Sequence, residues 1–129
     1  MTSAGLYIAV VDDEAPVRTA LGRLLRLADY EVASFGSGDE FLASLSVRVP
    51  ACVILDVHMP ATSGFAVQAQ LQAANYVIPA VFITASDDPR LDASVHDAHG
   101  VVLLRKPFTS ERLLNAVSAA LGTAAGARS

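Results

Sequence analysis

Cys52-Val53-Ile54-Leu55-Asp56-Val57 is apolar at every position but one, with no alternation of polar and apolar residues. A strand apolar on both faces belongs inside a parallel sheet with helices on either side. Its single charge, Asp56, is costly to bury without a partner, so it marks a strand end where the charge has a use. A turn aspartate satisfied by neighbouring amides is the plain alternative.

Three further runs share this character: Leu6 to Val11, Ala80 to Ile83 and Val101 to Leu104. Glu31 to Phe35 is more polar and suits the edge of a sheet. The segments between them repeat apolar residues at helical spacing: Val17, Leu21, Leu24 and Leu25, then Val67, Leu71 and Ala74, then Leu91, Val95 and Ala98, then Leu113, Val117 and Leu121. Ser37 and Glu40 stand at capping-box spacing before Phe41 and Leu42, and Thr109 is placed to cap the last helix. Strand followed by helix, five times over, predicts an α/β fold with a five-stranded parallel doubly wound sheet and five helices. Such sheets bind ligands outside the carboxyl ends of their strands.

With 129 residues, 53% of them hydrophobic, and a mean hydropathy of +0.45, the chain is long enough for one core and little more. We therefore expect a single domain over residues 1–129, with its core at about 6–121 and a flexible tail of small and polar residues over 122–129. The net charge of -4 lacks the clustered basic footprint of a nucleic-acid or anionic-membrane binder. Cys52 is the only cysteine and cannot pair within the chain, which fits a reducing, cytoplasmic setting. Met1 to Gly5 lacks the basic stretch of a secretion signal, and no apolar run reaches membrane-spanning length. His58, His96 and His99 lack the spacing of a histidine metal site.

The strand ends carry the chemistry. Asp12, Asp13 and Glu14 follow the first run, Asp56 closes the third, Thr84 closes the fourth, and Lys106-Pro107 follows the fifth. Taken singly each has an ordinary reading: an acidic helix start before Pro16, a strand-end hydroxyl, a solvated lysine. On one sheet edge they form a cluster of carboxylates beside a hydroxyl and the only lysine in the chain. Carboxylates packed together raise one another's pKa unless a cation compensates. Mg2+, which takes a few carboxylates, retained waters and phosphate oxygens, is the cation that suits such a site.

Val10-Val-Asp-Asp-Glu14, Ile54-Leu-Asp-Val-His-Met-Pro60 with Gly64 beyond it, Ile83-Thr-Ala85 and Leu104-Arg-Lys-Pro-Phe108 together resemble the receiver domains of bacterial two-component response regulators. The likeness runs from about Leu6 to Leu121, and Pro16 to Arg26 with Tyr30 to Leu42 looks closest to the FixJ-like subfamily. The resemblance implies a flavodoxin-like sheet of order 2-1-3-4-5. It also implies that Asp56 takes a phosphoryl group from a sensor histidine kinase. Asp13 would bind Mg2+ directly and Asp12 mainly through water, with Asp56 and the backbone carbonyl of His58 completing the protein ligands. Lys106 would pair with phosphoryl oxygens, Thr84 would hydrogen-bond one of them after transfer, and the Lys106-Pro107 peptide would be cis.

The sequence departs from the family at Leu103, where many receivers carry a Tyr or Phe that reports phosphorylation. That favours, as the alternative, a receiver-like interaction module that no longer uses phosphate. An aspartyl-phosphate phosphatase would place a second Asp where His58 stands. FixJ-like regulators continue into a DNA-binding domain, so the expectation here is a stand-alone or an excised receiver, with its downstream partner undetermined. Homodimerisation is compatible with the resemblance, and direct DNA contact by this domain is not expected.

Overall fold

The computed structural model describes residues 5–92 and 102–127. Five strands, β1 (Tyr7–Val11), β2 (Glu31–Phe35), β3 (Cys52–Asp56), β4 (Ala80–Thr84) and β5 (Val102–Arg105), form one parallel sheet of order β2-β1-β3-β4-β5. The polar Glu31–Phe35 strand is an edge, and β3 with its Asp56 is central. Helices α1 (Ala15–Leu27), α2 (Gly38–Ser44), α3 (Gly64–Ala73) and α4 (Ser110–Ala127) are described, and residues 90–92 begin a further one. The expected positions Val95, Ala98, His96 and His99 lie outside the described residues. α4 carries helix through Ala127, across the small-residue stretch that opens the tail.

Alternation along the buried strands divides the core into two layers. Tyr7, Ala9, Val11, Val53, Leu55, Ala80 and Phe82 face Phe41 of α2 and Val67 and Leu71 of α3. Ile8, Val10, Ile54, Val81 and Ile83 face Leu21 and Leu25 of α1 and Leu113, Val117 and Ala120 of α4. This two-sided burial is why the central strands show no polar alternation. Each buried Ile, Leu or Phe contributes roughly 1.5–3 kcal/mol toward closing these layers. The α3 stripe stops at Leu71, because Ala74 is the exposed C-cap rather than a core residue.

Capping sets where the helices begin, and therefore where the loops at the carboxyl edge end. Ser37 Oγ accepts the Glu40 N–H at 3.2 Å and Thr109 Oγ1 accepts the Arg112 N–H at 3.1 Å, both as the sequence predicts. Ser63 caps α3 in the same way, accepting the Ala66 N–H at 3.1 Å. The Lys106-Pro107 peptide is cis. Among the described residues no helix is long and apolar enough to cross a membrane.

Candidate functional site

The site is built where β1, β3, β4 and β5 end. β1 closes at Val11, and the fully buried Asp12 is fixed at both its amide and its carboxylate. Its N–H donates to the Phe35 carbonyl at 3.1 Å, and its Oδ1 accepts the Glu14 N–H at 2.8 Å. Among the described residues Asp12 Oδ2 is buried with no hydrogen-bond partner, and Lys106 Nζ stands 3.7 Å away, close enough for charge pairing but not for a hydrogen bond. The same ammonium lies 3.8 Å from Glu14 Oε1.

Asp56 ends β3 at 5% exposure, with its Oδ1 accepting the His58 N–H at 3.0 Å. Carboxylate oxygens of Asp12, Asp13 and Asp56 all lie within 4.8 Å of one another. Burial pushes the Asp56 carboxyl up to about 6, the His58 N–H opposes that, Asp12 and Asp13 add to it, and Lys106 and its positive charge pull it back. The protein's own groups therefore leave this cluster short of positive charge. An orphaned Asp12 oxygen and three convergent carboxylates fit a hard, oxygen-preferring divalent cation.

β4 delivers Thr84 beside this cluster, since Asp56 pairs with Ile83 in register. The Thr84 side chain is fully buried, and its Oγ1 accepts the Ser86 N–H at 3.0 Å, leaving its own proton free to donate. Its carbonyl accepts the Lys106 N–H at 2.7 Å, which ties the start of the lysine loop to the threonine. His58 is exposed, and the N–H that holds Asp56 belongs to the residue whose carbonyl was expected at the metal. A cleft of about 180 Å³ opens beside Asp13 between Gly36 to Asp39 and Met59 to Thr62, giving access from solvent.

The expected site residues Asp12, Asp13, Asp56, His58, Thr84 and Lys106 thus stand at one edge, with Asp12, Asp13 and Asp56 in direct company and Lys106 against Asp12. Glu14 was already named beside the aspartate pair, while two others, Arg18 and Arg105, escaped notice. Arg18 Nη1 donates to the Asp12 carbonyl at 2.7 Å. Glu14 shares Lys106 with Asp12. Arg105 holds the loop after Thr84 by donating to the Ser86 carbonyl at 3.2 Å and the Asp88 carbonyl at 3.0 Å. The two arginines act on backbone oxygens across the fold, which leave no signal in the sequence.

Residues 8–118 match the response regulator receiver domain family. Nodulation protein W of Bradyrhizobium diazoefficiens is 38% identical over 118 residues, covering 92% of this chain and 52% of that protein. Transcriptional regulatory protein FixJ of the same species is 32% identical over 121 residues, covering 94% of this chain and 58% of that protein. The chain thus spans little more than half the length of these relatives. The crystal structure of a response regulator receiver protein from Burkholderia phymatum superposes with a TM-score of 0.81 at 42% identity, covering 91% of this chain and 95% of that one.

Proposed function

This chain belongs to the response regulator receiver domain family, with FixJ among its relatives, and on that premise we propose that it accepts a phosphoryl group on Asp56 from the phosphohistidine of a sensor histidine kinase. The observation that carries the reading is the convergence of Asp12, Asp13 and Asp56 oxygens within 4.8 Å at the end of the central strand. Lys106 and Thr84 stand on the neighbouring strand ends.

In the reaction an Asp56 oxygen attacks phosphorus, an Oδ–P bond forms, the N–P bond to the donor imidazole breaks, and the freed imidazole nitrogen takes its proton from solvent. Asp56 is held for attack by the His58 N–H on its Oδ1. Lys106 moves from Asp12 and Glu14 to the phosphoryl oxygens as negative charge builds there, and Thr84 donates its free proton to one of them. Asp12, Asp13, Asp56 and the His58 carbonyl would hold Mg2+, which when bound neutralises charge on the carboxylates and the transferring group. The product is an acyl phosphate whose charge switches a partner or an output domain. We place this activity in the cytoplasm, with no direct nucleic-acid contact by this domain.

The test is incubation with acetyl phosphate, with and without Mg2+, followed by intact mass. The expected result is a single Mg2+-dependent phosphoryl adduct that disappears in Asp56→Asn. Absence of an adduct with several small phosphodonors would instead favour the phosphate-independent module, the reading for which Leu103 speaks.

A further inference from the structure

Arg18 lies in the first turn of α1, where a cation runs against the helix dipole and the turn itself holds no acidic residue. Its guanidinium is spent elsewhere: Nη1 donates to the Asp12 carbonyl at 2.7 Å. That oxygen belongs to the peptide joining Asp12 to Asp13. Asp12 has further restraints, at its amide from Phe35 and at its Oδ1 from Glu14. Asp13 is exposed, and among the described residues its carboxylate receives no hydrogen bond, yet it reaches the cluster. The 12–13 peptide plane places the Asp13 Cα, from which that carboxylate departs. Gly36 leaves room for the arginine, since a Cβ there would stand 3.3 Å from Nη1.

We infer that Arg18 is a positioning residue for divalent-cation binding, acting through the Asp12 carbonyl to aim the Asp13 carboxylate into the cluster. The inference rests on the reading of Asp12, Asp13 and Asp56 as the cation site. Groups one step removed from a metal commonly change its affinity by about 10–100-fold when removed. Arginine suits the task because its planar fork is rigid, and lysine in its place keeps the charge and loses the geometry.

The experiment is a Mg2+ titration of the unphosphorylated protein, followed by amide chemical shifts and by the Mg2+-dependent rise in Tm. The variants are Arg18→Gln, Arg18→Lys and Gly36→Ala, with the exposed Arg23→Gln as a charge control on the same helix. Arg18→Gln and Arg18→Lys are expected to weaken Mg2+ binding by about ten-fold or more. Gly36→Ala, which crowds the guanidinium without removing it, should move affinity the same way, and Arg23→Gln should leave it unchanged. Unchanged affinity in both Arg18 variants would overturn the proposal, as would tighter binding in Arg18→Gln, which would mean that the guanidinium's charge repels the cation more than its geometry helps. A Tm loss equal with and without Mg2+ would reduce Arg18 to a structural residue. Absence of Mg2+ binding by the wild-type protein would instead remove the cation site itself.

Discussion

A Cβ on Gly64 would lie 2.6 Å from the backbone carbonyl oxygen of Asp56 and 3.1 Å from its carbonyl carbon. α3 therefore begins against the peptide that carries the candidate acceptor, and nothing flexible is there to give way. Overpacking of this kind costs about 1–3 kcal/mol. Gly64→Ala is expected to lower the urea midpoint accordingly and, by shifting Asp56, to slow adduct formation. An unchanged midpoint would mean that the junction between β3 and α3 yields more easily than its packing implies.

Asp56 gives a pH dependence whose sign is fixed. Its carboxyl titrates near 6 in the folded protein, above the ordinary carboxylate value. Stability from holding it protonated is fully present below the unfolded pKa of about 4 and is lost as pH rises through 6. Metal-free wild type should thus become less stable relative to Asp56→Asn between about pH 4 and 7, by ~1–3 kcal/mol, the lower end where solvent screens the charge. Added Mg2+ at pH 7 should narrow the gap. Parallel stability curves for the two proteins across this range would contradict the assignment.

The fold was legible because burial on both faces writes itself into the strands: Cys52 to Leu55 and Ala80 to Ile83 have no polar position to confuse the reading. The site was legible for a related reason, since a charge or hydroxyl at the end of such a run, as with Asp56 and Thr84, stands out. Arg18 and Arg105 were not legible. Each binds carbonyl oxygens brought near by tertiary folding, and a backbone carbonyl has no letter in the sequence. Ser63 was missed because no acidic partner follows it to complete a capping box.

Arg105 pairs with Thr84 in the sheet, and its side chain also meets both Asp92 oxygens, at 3.2 and 3.5 Å. The arginine thus braces residues 86–92 from β5. Asp92 is mostly exposed, so the ion pair alone is worth at most about 1 kcal/mol. The two carbonyl contacts should matter more for local order. Arg105→Gln is expected to speed amide exchange at Ser86 to Asp92 several-fold while lowering global stability by about 1 kcal/mol or less, and Asp92→Asn should have a smaller effect. Protection unchanged in Arg105→Gln would show that the loop holds itself, through the Ser86 Oγ contact to the Asp88 N–H.

His58 and Ser86 flank the acceptor by different routes, one following Asp56 on an exposed turn and the other donating its N–H to Thr84. Their backbone N–H groups hold Asp56 and Thr84, and their side chains are not needed for those contacts. Exchanging the side chains should therefore change the lifetime of the acyl phosphate and leave its formation intact. The decay of the adduct in a His58→Asn/Ser86→Ala variant, followed by intact mass, checks this. A decay rate equal to wild type would mean that neither side chain touches the attacking water.

Leu103 bears on how far a signal at Asp56 travels. It lies opposite Phe82 on β4, half-buried, and packs, as Leu91 does, against the core cluster that includes Phe82 and Leu55. A leucine in that place has no hydroxyl to exchange partners and no ring whose rotation would reshape the surface. A phosphoryl group can shift conformation only as far as it interacts differently with the two states, and Leu103 offers little such difference. Adding beryllofluoride and Mg2+ should therefore move the amide resonances of Asp12, Asp56 and Thr84 strongly and those from Val102 to Leu121 much less. Replacing Leu103 by Tyr should enlarge the response over Val102 to Leu121 without changing that at Asp56. Large shifts across that region in the wild-type protein would mean that the signal travels by another route, for which the Arg105 brace is the first place to look.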